Sequence, residues 1–373
     1  MLKLLLNRLA FGILTLVATT FLIFWVNDFG PTDFATQLLG REYTEATAEV
    51  IREKYGLYLP IGVRYLYWLQ SVLGGDFGMS WSGQEIGAVI ATRIQRSLWL
   101  AILAASIMFP IALALGIYSA LKRYGTGDKV VLSANTMMLS IPEFLVGYTL
   151  MALFAVKLGW FPSLALVDDD AALGVKLKAS FMPILALAMV TIPPVMRIIR
   201  ASLISALDSE YVQMAHLKGI RPIRIMLFHI LPNNIGAIAN ALALGLANLI
   251  AGIVIIEMVF VYPGIGSLLL SSIYSQDIPM VLACGTVLAC TYVILLLIAD
   301  LIAIASNPKL ISGTQNQVLH PGLIIRGLKY SPVALILALG LYLSQFLPDK
   351  HPETSTDWVF DTTAPLEGGS RIY

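Results

Sequence analysis

Carboxylates inside long apolar runs are the side chains of this sequence best placed to do chemistry. Glu143 follows Pro142 midway along the run Val130–Val156, Glu257 lies near the end of Ile235–Phe260, and Asp300 near the end of Met280–Ile304. An ionisable group at membrane depth is costly to hold there and is a functional suspect by default. Glu143, the deepest, is suited to meet an amine or guanidinium of a solute on a transmembrane path. Two rival readings stand beside it: a buried structural pair with Arg197, or a protonated acid hydrogen-bonded to backbone that Pro142 frees. Asn135 and Glu257 are set beside Glu143 as path residues, although Glu257 and Asp300 read more readily as contacts that support the fold. A second group of side chains, Lys218, Arg221 and Arg224, lies in a polar stretch between two apolar runs and can meet acidic groups, carbonyls or anionic lipid.

Other chemistries lack their residues. No Gly-x-x-x-x-Gly-Lys-Ser/Thr occurs, so nucleotide phosphates are not cradled by that motif. No His/Asp/Glu cluster has ligand spacing and no nucleophile elbow is found, so no catalytic, cofactor-binding or metal-binding residue is assigned. Cys284 and Cys290, six apart within one apolar run, are read as small core residues rather than a disulfide or metal site.

The elements that must position these groups are membrane spans. Of the 373 residues 58% are hydrophobic and 13% charged, far from the balance of soluble domains, and a net charge of +1 without lysine-rich runs gives no reason to expect nucleic acid. Leu9–Val26 is long enough to cross a hydrocarbon core of roughly 30 Å and too long for a signal-peptide core, so it reads as a retained first helix with its N-terminus in the cytoplasm. Asp28–Ser97 is an extracytoplasmic segment with a helix at Thr44–Tyr55, capped by Thr44 and bearing Glu45, Glu49 and Glu53 on a solvated face. Leu98–Leu121, Val130–Val156, Phe181–Ile199, Ile235–Phe260 and Met280–Ile304 follow as spans two to six. Pro183, Pro193 and Pro194 mark the fourth as the one to kink. Asp168–Asp170 reads as solvated surface.

Lys122, Arg123 and Lys129 close the second span inside, Arg197 and Arg200 the fourth, and Lys309, with Asn307 and Pro308, the sixth. The loop Val261–Pro279 has no Lys or Arg and belongs outside. Within it Tyr262, Pro263, Gly264 and Gly266 form either part of an outer mouth or a tight turn. A seventh apolar run, Ser331–Leu347, either crosses or lies in the interface; Arg326 and Lys329 before it and the acidic tail after it favour crossing. The expected class is an all-α membrane protein of six core transmembrane helices plus this seventh. Its parts are a first helix and extracytoplasmic segment (1–97), a core (98–310) and a linker, extra helix and polar tail (311–373).

Asp208–Asn233 breaks into two short amphipathic helices at Gly219. Asp208 is the expected N-cap and Glu210 suits the first turn. Tyr211, Val212, Ala215 and Gly219 fall on one narrow face where a partner backbone has room to approach. Pro222 opens the second helix, Ile225 and Phe228 give it an apolar stripe, and Pro232 ends it. On these residues alone the stretch is either a lipid-contacting interfacial loop or a docking hairpin.

The stretch resembles the EAA loop of ABC importer permeases, and most closely the oligopeptide/dipeptide/nickel branch. Members of that branch read approximately Asp/Glu-Tyr-Val-x-x-Ala-x-x-Lys-Gly, and this chain supplies Glu210, Tyr211, Val212, Ala215, Lys218 and Gly219, with His229 and Asn233 on family positions downstream. Asp76–Ser80 (DFGMS), Leu158–Pro162 (LGWFP), Val259–Gly266 (VFVYPGIG) and the Asn-Pro-Lys near Asn307 extend the likeness over most of Met1–Leu310. Where the family usually has Arg-Thr-Ala-Arg-Ala-Lys-Gly, this chain has Gln213, Met214, Ala215, His216, Leu217, Lys218 and Gly219, and its tail has no counterpart.

The resemblance implies a bacterial inner-membrane permease subunit that moves peptides or similar solutes by alternating access. It implies four kinds of partner: a homologous second permease, two ATPase subunits that carry the ATP and magnesium, an extracytoplasmic solute-binding protein, and membrane lipid. It also implies that Glu210, Tyr211, Ala215, Lys218, Gly219, Arg221 and Arg224 form the ATPase-coupling surface. The alternatives are an ion-coupled secondary transporter working through Glu143, or a membrane scaffold that transports nothing.

Overall fold

The computed structural model describes residues 2–28, 39, 44–54, 56–166 and 170–306. The expectations for Ser331–Leu347, for the tail and linker (311–373), for Asn307–Lys309 and for Asp168 fall outside the described residues, as does the side chain of Asp300. Among the described residues the structure is helical, with one isolated antiparallel bridge, Met79 to Glu85. The helices are α1 (Leu2–Asp28), α2 (Glu45–Lys54), α3 (Ile61–Leu73), α4 (Ile86–Leu121), α5 (Thr126–Ser140), α6 (Glu143–Leu150), α7 (Leu173–Leu207), α8 (Glu210–Leu217), α9 (Pro222–Ile225), α10 (Ile235–Val259), α11 (Ile265–Tyr274) and α12 (Ile278–Ser306). Five of them, α1, α4, α7, α10 and α12, are long and apolar enough to cross a membrane, and the bent pair Thr126–Ser140 and Glu143–Lys157 brings the number to six when counted as one span.

Two compact units divide the described residues. One holds Arg93–Leu270, with the chain up to Ile13 and from Cys290 onward; the other holds Leu14–Thr92 and Ser271–Ala289. The second unit is organised on aromatic packing. Tyr65 sits edge-on to Phe21 and Phe24, Trp68 lies beside them, and the Tyr65 hydroxyl reaches Thr20 Oγ1 at 2.8 Å. In the DFGMS turn Asp76 accepts the amide of Gly78, and Ser80 donates to the buried carboxylate of Asp277, which also accepts the amide of Met280 in the first turn of α12. On α2, Thr44 accepts the amide of Thr47 as a cap, and Glu45 and Glu49 lie exposed beside Arg52.

The first unit is a bundle in which α7 packs most extensively on α10, with α4, α5 and α6 around them. Its spans differ from the sequence expectation in three respects. The second begins at Ile86 rather than Leu98, and at 36 residues α4 is about 54 Å long, well beyond the thickness of a bilayer core. The third is not one helix: α5 and α6 meet at an angle of 101° across Ile141 and Pro142. Proline has no N–H and its ring pushes the preceding residue out of the helical region, and Ile141 accordingly adopts φ −91°, ψ 125°. Beyond α6 the turns Met151–Lys157 widen to π geometry. The fourth is longer than Phe181–Ile199, running as one helix, α7, from Leu173 to Leu207 with Pro183, Pro193 and Pro194 inside it.

The segment Val261–Pro279 is also more than a loop, because it contains α11. Its first turn closes on Glu257, which is fully buried. The carboxylate accepts Ser97 Oγ at 2.5 Å and the amides of Gly266 and Ser267 at 2.8 and 3.1 Å, while Ser97 Oγ accepts the amide of Ile265. A carboxylate at a helix N-terminus satisfies amides that have no partner within the helix and meets the positive end of its dipole. Tyr262, which donates its hydroxyl to the carbonyl of Arg96, and the glycines beside it therefore make a tight turn around a buried acid. A Cβ on Gly264 would stand 1.9 Å from Glu257 Oε1, and one on Gly266 2.5 Å from the Cα of Val254. We expect Gly264→Ala to lose about 1–3 kcal/mol through this overlap. Gly174→Ala, at a helical position with no atom within 4 Å of the new methyl, should be neutral or stabilising. Thermal unfolding of the detergent-solubilised chain measures both.

Candidate functional site

The hairpin at Asp208–Asn233 forms, with its caps redistributed. Asp208 caps the C-terminus of α7 instead of opening the next helix, and its carboxylate pairs with Arg123 at 2.6 Å. Ser209 is the N-cap of α8, and Glu210 is exposed in the first turn. At the other end the amide of Gly219 donates to the carbonyl of His216, and that of Ile220 to Ala215. This is a Schellman cap, and it requires the left-handed backbone that Gly219 provides at φ +76°. Pro222 occupies the first turn of α9, as expected. Pro232 does not end that helix: the chain continues through wide turns at Met226–Ile230 and a last turn at Leu231–Asn233.

The face expected to meet a partner is divided: Val212 and Ala215 point inward, while Tyr211 and Gly219 stay exposed. Val212, Ala215, Ile225, Met226 and Ile230 are buried in the core of the first unit. Ala215 is thus held by the chain's own spans, and Gly219 has open space around it, so its role is the cap and not a close approach. Ile225 and Phe228 do not share a stripe, since the first is buried and the second 69% exposed. The outer surface is instead made of Tyr211, Met214, Leu217, Ile223, Leu227 and Phe228, all exposed, among the exposed Lys218, Arg221 and Arg224. Leu217 is 82% exposed, a large apolar area for a segment outside the candidate spans.

Under the hairpin lies an ion pair that the sequence reading missed. Arg200, near the end of α7, holds Asp128 in the first turn of α5 through both carboxylate oxygens, at 3.0 and 2.7 Å. Ser119 of α4 donates to the same carboxylate and accepts from Arg200, and the amide of Tyr124 in the turn between α4 and α5 completes the shell at 3.0 Å. Arg123 and Arg200 had been read only as markers of sidedness. The available signal was Asp128 itself, an acid within one turn of the same basic loop.

Glu143 stands at the break between α5 and α6, as the first residue of α6. It lines a cavity of about 390 Å³ with Met138, Ile141, Pro142, Thr191, Pro194, Asn248 and Gly252 among its walls. Its carboxylate lies against Gly252, where a Cβ would come within 3.0 Å of Oε2. Among the described residues it has no ion pair, and Arg197, the expected partner, is exposed and does not meet it. The structure does not bring the other path residues to this cavity. Glu257 is enclosed in the turn described above, and Asn135 is buried on α5 with its Nδ2 unsatisfied.

A helical bundle of five long apolar helices and a bent pair, with a hairpin between two of them, describes a polytopic membrane protein, and comparison with known proteins narrows it. The family described as "Binding-protein-dependent transport system inner membrane component" matches residues 112–312, and its N-terminal companion matches residues 1–90. The glutathione transport system permease protein GsiC of Pectobacterium atrosepticum is 30% identical over 83% of this chain and 99% of its own length. The oligopeptide transport system permease protein AppB of Bacillus subtilis is 28% identical over 82% of this chain and 98% of its own. A solved inward-facing structure of the MetNI methionine ABC transporter shares the fold, with a TM-score of 0.50 and 16% identity over 59% of this chain and 96% of that one.

The chain belongs to the binding-protein-dependent transport system inner membrane components. It is a multi-pass inner-membrane permease subunit of an ABC importer, and membership in this family carries ATPase and solute-binding partners with it. The secondary-transporter and scaffold readings give way to it.

Removing one member of a buried ion pair leaves an uncompensated charge, so Asp128→Ala should cost about 3 kcal/mol. The pair Arg123–Asp208 is solvent-exposed on both sides, and Arg123→Ala should cost less than about 1 kcal/mol. A double-mutant cycle on Asp128 and Arg200, read by thermal unfolding, isolates the coupling.

Proposed function

We propose that this chain carries peptides or similar small solutes across the inner membrane by alternating access, and that its hairpin is the surface on which a cytoplasmic ATPase acts. The observation that carries the reading is the two-sidedness of the hairpin: an inner face locked into the bundle core and an outer face of exposed apolar and basic side chains. Such an element converts a push on its outer face into movement of α7 and α10, the spans it joins. The names of the two relatives support peptide-like cargo, glutathione for one and oligopeptide for the other.

In this reading the N-terminus and the hairpin are cytoplasmic, consistent with the basic residues that cluster beside α4, α7 and the hairpin. A homologous second permease completes the pathway, and two ATPase subunits and an extracytoplasmic binding protein complete the importer. ATP and magnesium are bound by the ATPase subunits and no catalysis is assigned to this chain, which has no P-loop. Glu210, Tyr211, Lys218, Arg221 and Arg224 lie on the coupling surface, Ala215 and Gly219 shape it from within, and membrane lipid surrounds the spans.

The test is a charge placed on the exposed apolar surface. Leu217→Asp or Phe228→Asp should weaken capture of the ATPase by about thirtyfold, the scale of an interface hot spot, while membrane insertion and thermal stability stay normal. Val212→Asp, on the buried face, should instead unfold the chain. Undiminished capture of the ATPase by the Leu217 and Phe228 variants would refute the assignment.

A further inference from the structure

Among the described residues, the buried Asp128 and Glu257 and the half-buried Glu143 of the first unit have different surroundings. Asp128 is neutralised by Arg200 and Glu257 is wrapped by three donors, but Glu143 meets neither cation nor donor among the described residues. It is half-buried, and it opens on a cavity of about 390 Å³. We propose that this cavity is a binding site for a protonated amino or guanidinium group of the transported solute, with the Glu143 carboxylate as its counter-charge.

Three features of the geometry support this assignment. The carboxylate is held in place from behind by Gly252, whose missing side chain leaves room for it; a methyl there would press on Oε2. The remaining walls are largely apolar, from Met138, Leu139, Ile141, Pro142, Leu187 and Pro194, so no other charged group of the lining competes with Glu143 for an entering cation. Asn248 and Thr191 are the other polar side chains lining the cavity, and each carries an oxygen able to accept from a cationic donor; Thr191 keeps its own proton on the carbonyl of Leu187 at 2.8 Å. A site of one anion and two neutral oxygens selects a nitrogen cation and disfavours a carboxylate. The volume suits an amino-terminal residue or a lysine-sized side chain, and not a whole folded ligand.

The position also fits a transient contact. The site lies at the break of the third span, where irregular backbone borders a cavity, the setting in which broken spans are tolerated at membrane depth. A single counter-charge binds a passing cation without enclosing it, as a transport path requires.

This inference rests on the permease reading, and its test reads Glu143 directly instead of uptake. Membranes containing the complete transporter would be treated with dicyclohexylcarbodiimide, which modifies carboxyl groups in apolar surroundings, and the adduct on Glu143 quantified by mass spectrometry. Trilysine should slow the modification by about tenfold, the effect of roughly one favourable charge contact, while its fully acetylated form should not. Glu143→Gln should abolish that adduct alone. Equal protection by both peptides, or by neither, overturns the proposal. So does a Glu143 that never reacts, since a carboxyl that opens on an accessible apolar-walled cavity should be reached by the reagent. Each of these failures leaves the hairpin result, and with it the permease reading, untouched.

Discussion

In hydrocarbon a main-chain N–H or C=O without a partner costs several kcal/mol, and this constraint governs where the chain leaves helical geometry. The first unit does so at two notable points, and each has a local solution. At Ile141–Pro142 the missing donor is proline's own, the helix restarts at Glu143, and the irregular backbone borders a cavity. At Val261–Gly264 the chain reverses within a few residues, and the amides that α11 leaves open at its start are taken by the carboxylate of Glu257. Charge and backbone therefore solve one another's problem: the buried acid needs donors, and the helix start needs acceptors.

The same chemical group thus does three different things within one unit. Glu257 serves as a helix cap and is closed on all sides. Asp128 is a counter-ion that joins α4, α5 and α7 through Ser119, Tyr124 and Arg200. Glu143 alone faces open space. Burial of a carboxylate does not define its role; the number of donors around it does, and only an acid with no internal donor has capacity left for something that arrives from outside.

The spans were legible in the sequence because long apolar runs bounded by charges have few other physical solutions. Helix boundaries inside or beside those runs were not. The extra turns at the start of α4, and α11 within a segment read as a loop, are helices whose residues differ little in polarity from their surroundings, so periodicity marks no edge. The break of the third span was the more accessible miss: Pro142 was visible, but three prolines in the fourth span pointed elsewhere, and α7 remains one helix through all of them. The hairpin shows a further limit. Its turn chemistry at Gly219 and Pro222 was readable from residue type alone, whereas the direction of its faces was not. Both sides of α8 are apolar, and sequence spacing sorts residues onto faces without saying which face has the rest of the protein behind it.

That direction decides what the hairpin is able to do. Had Val212 and Ala215 faced outward, the element would be attached to the bundle only by its ends, and a force applied to it would be absorbed in bending. With Val212, Ala215, Ile225, Met226 and Ile230 packed among the spans, displacement of the hairpin must displace what it is packed on, since interiors of this density yield little. The ends are secured as well. Asp208, where α7 hands over to α8, is tied to Arg123 in the turn that follows α4, and about two helical turns back Arg200 is tied to Asp128 at the start of α5. A movement imposed at α8 is therefore shared with α4 and α5 before it reaches the middle of the bundle. The break at Pro142 is the place along α5 and α6 where such a movement can change an angle without breaking a helical hydrogen bond, because the bond proline cannot make is already absent.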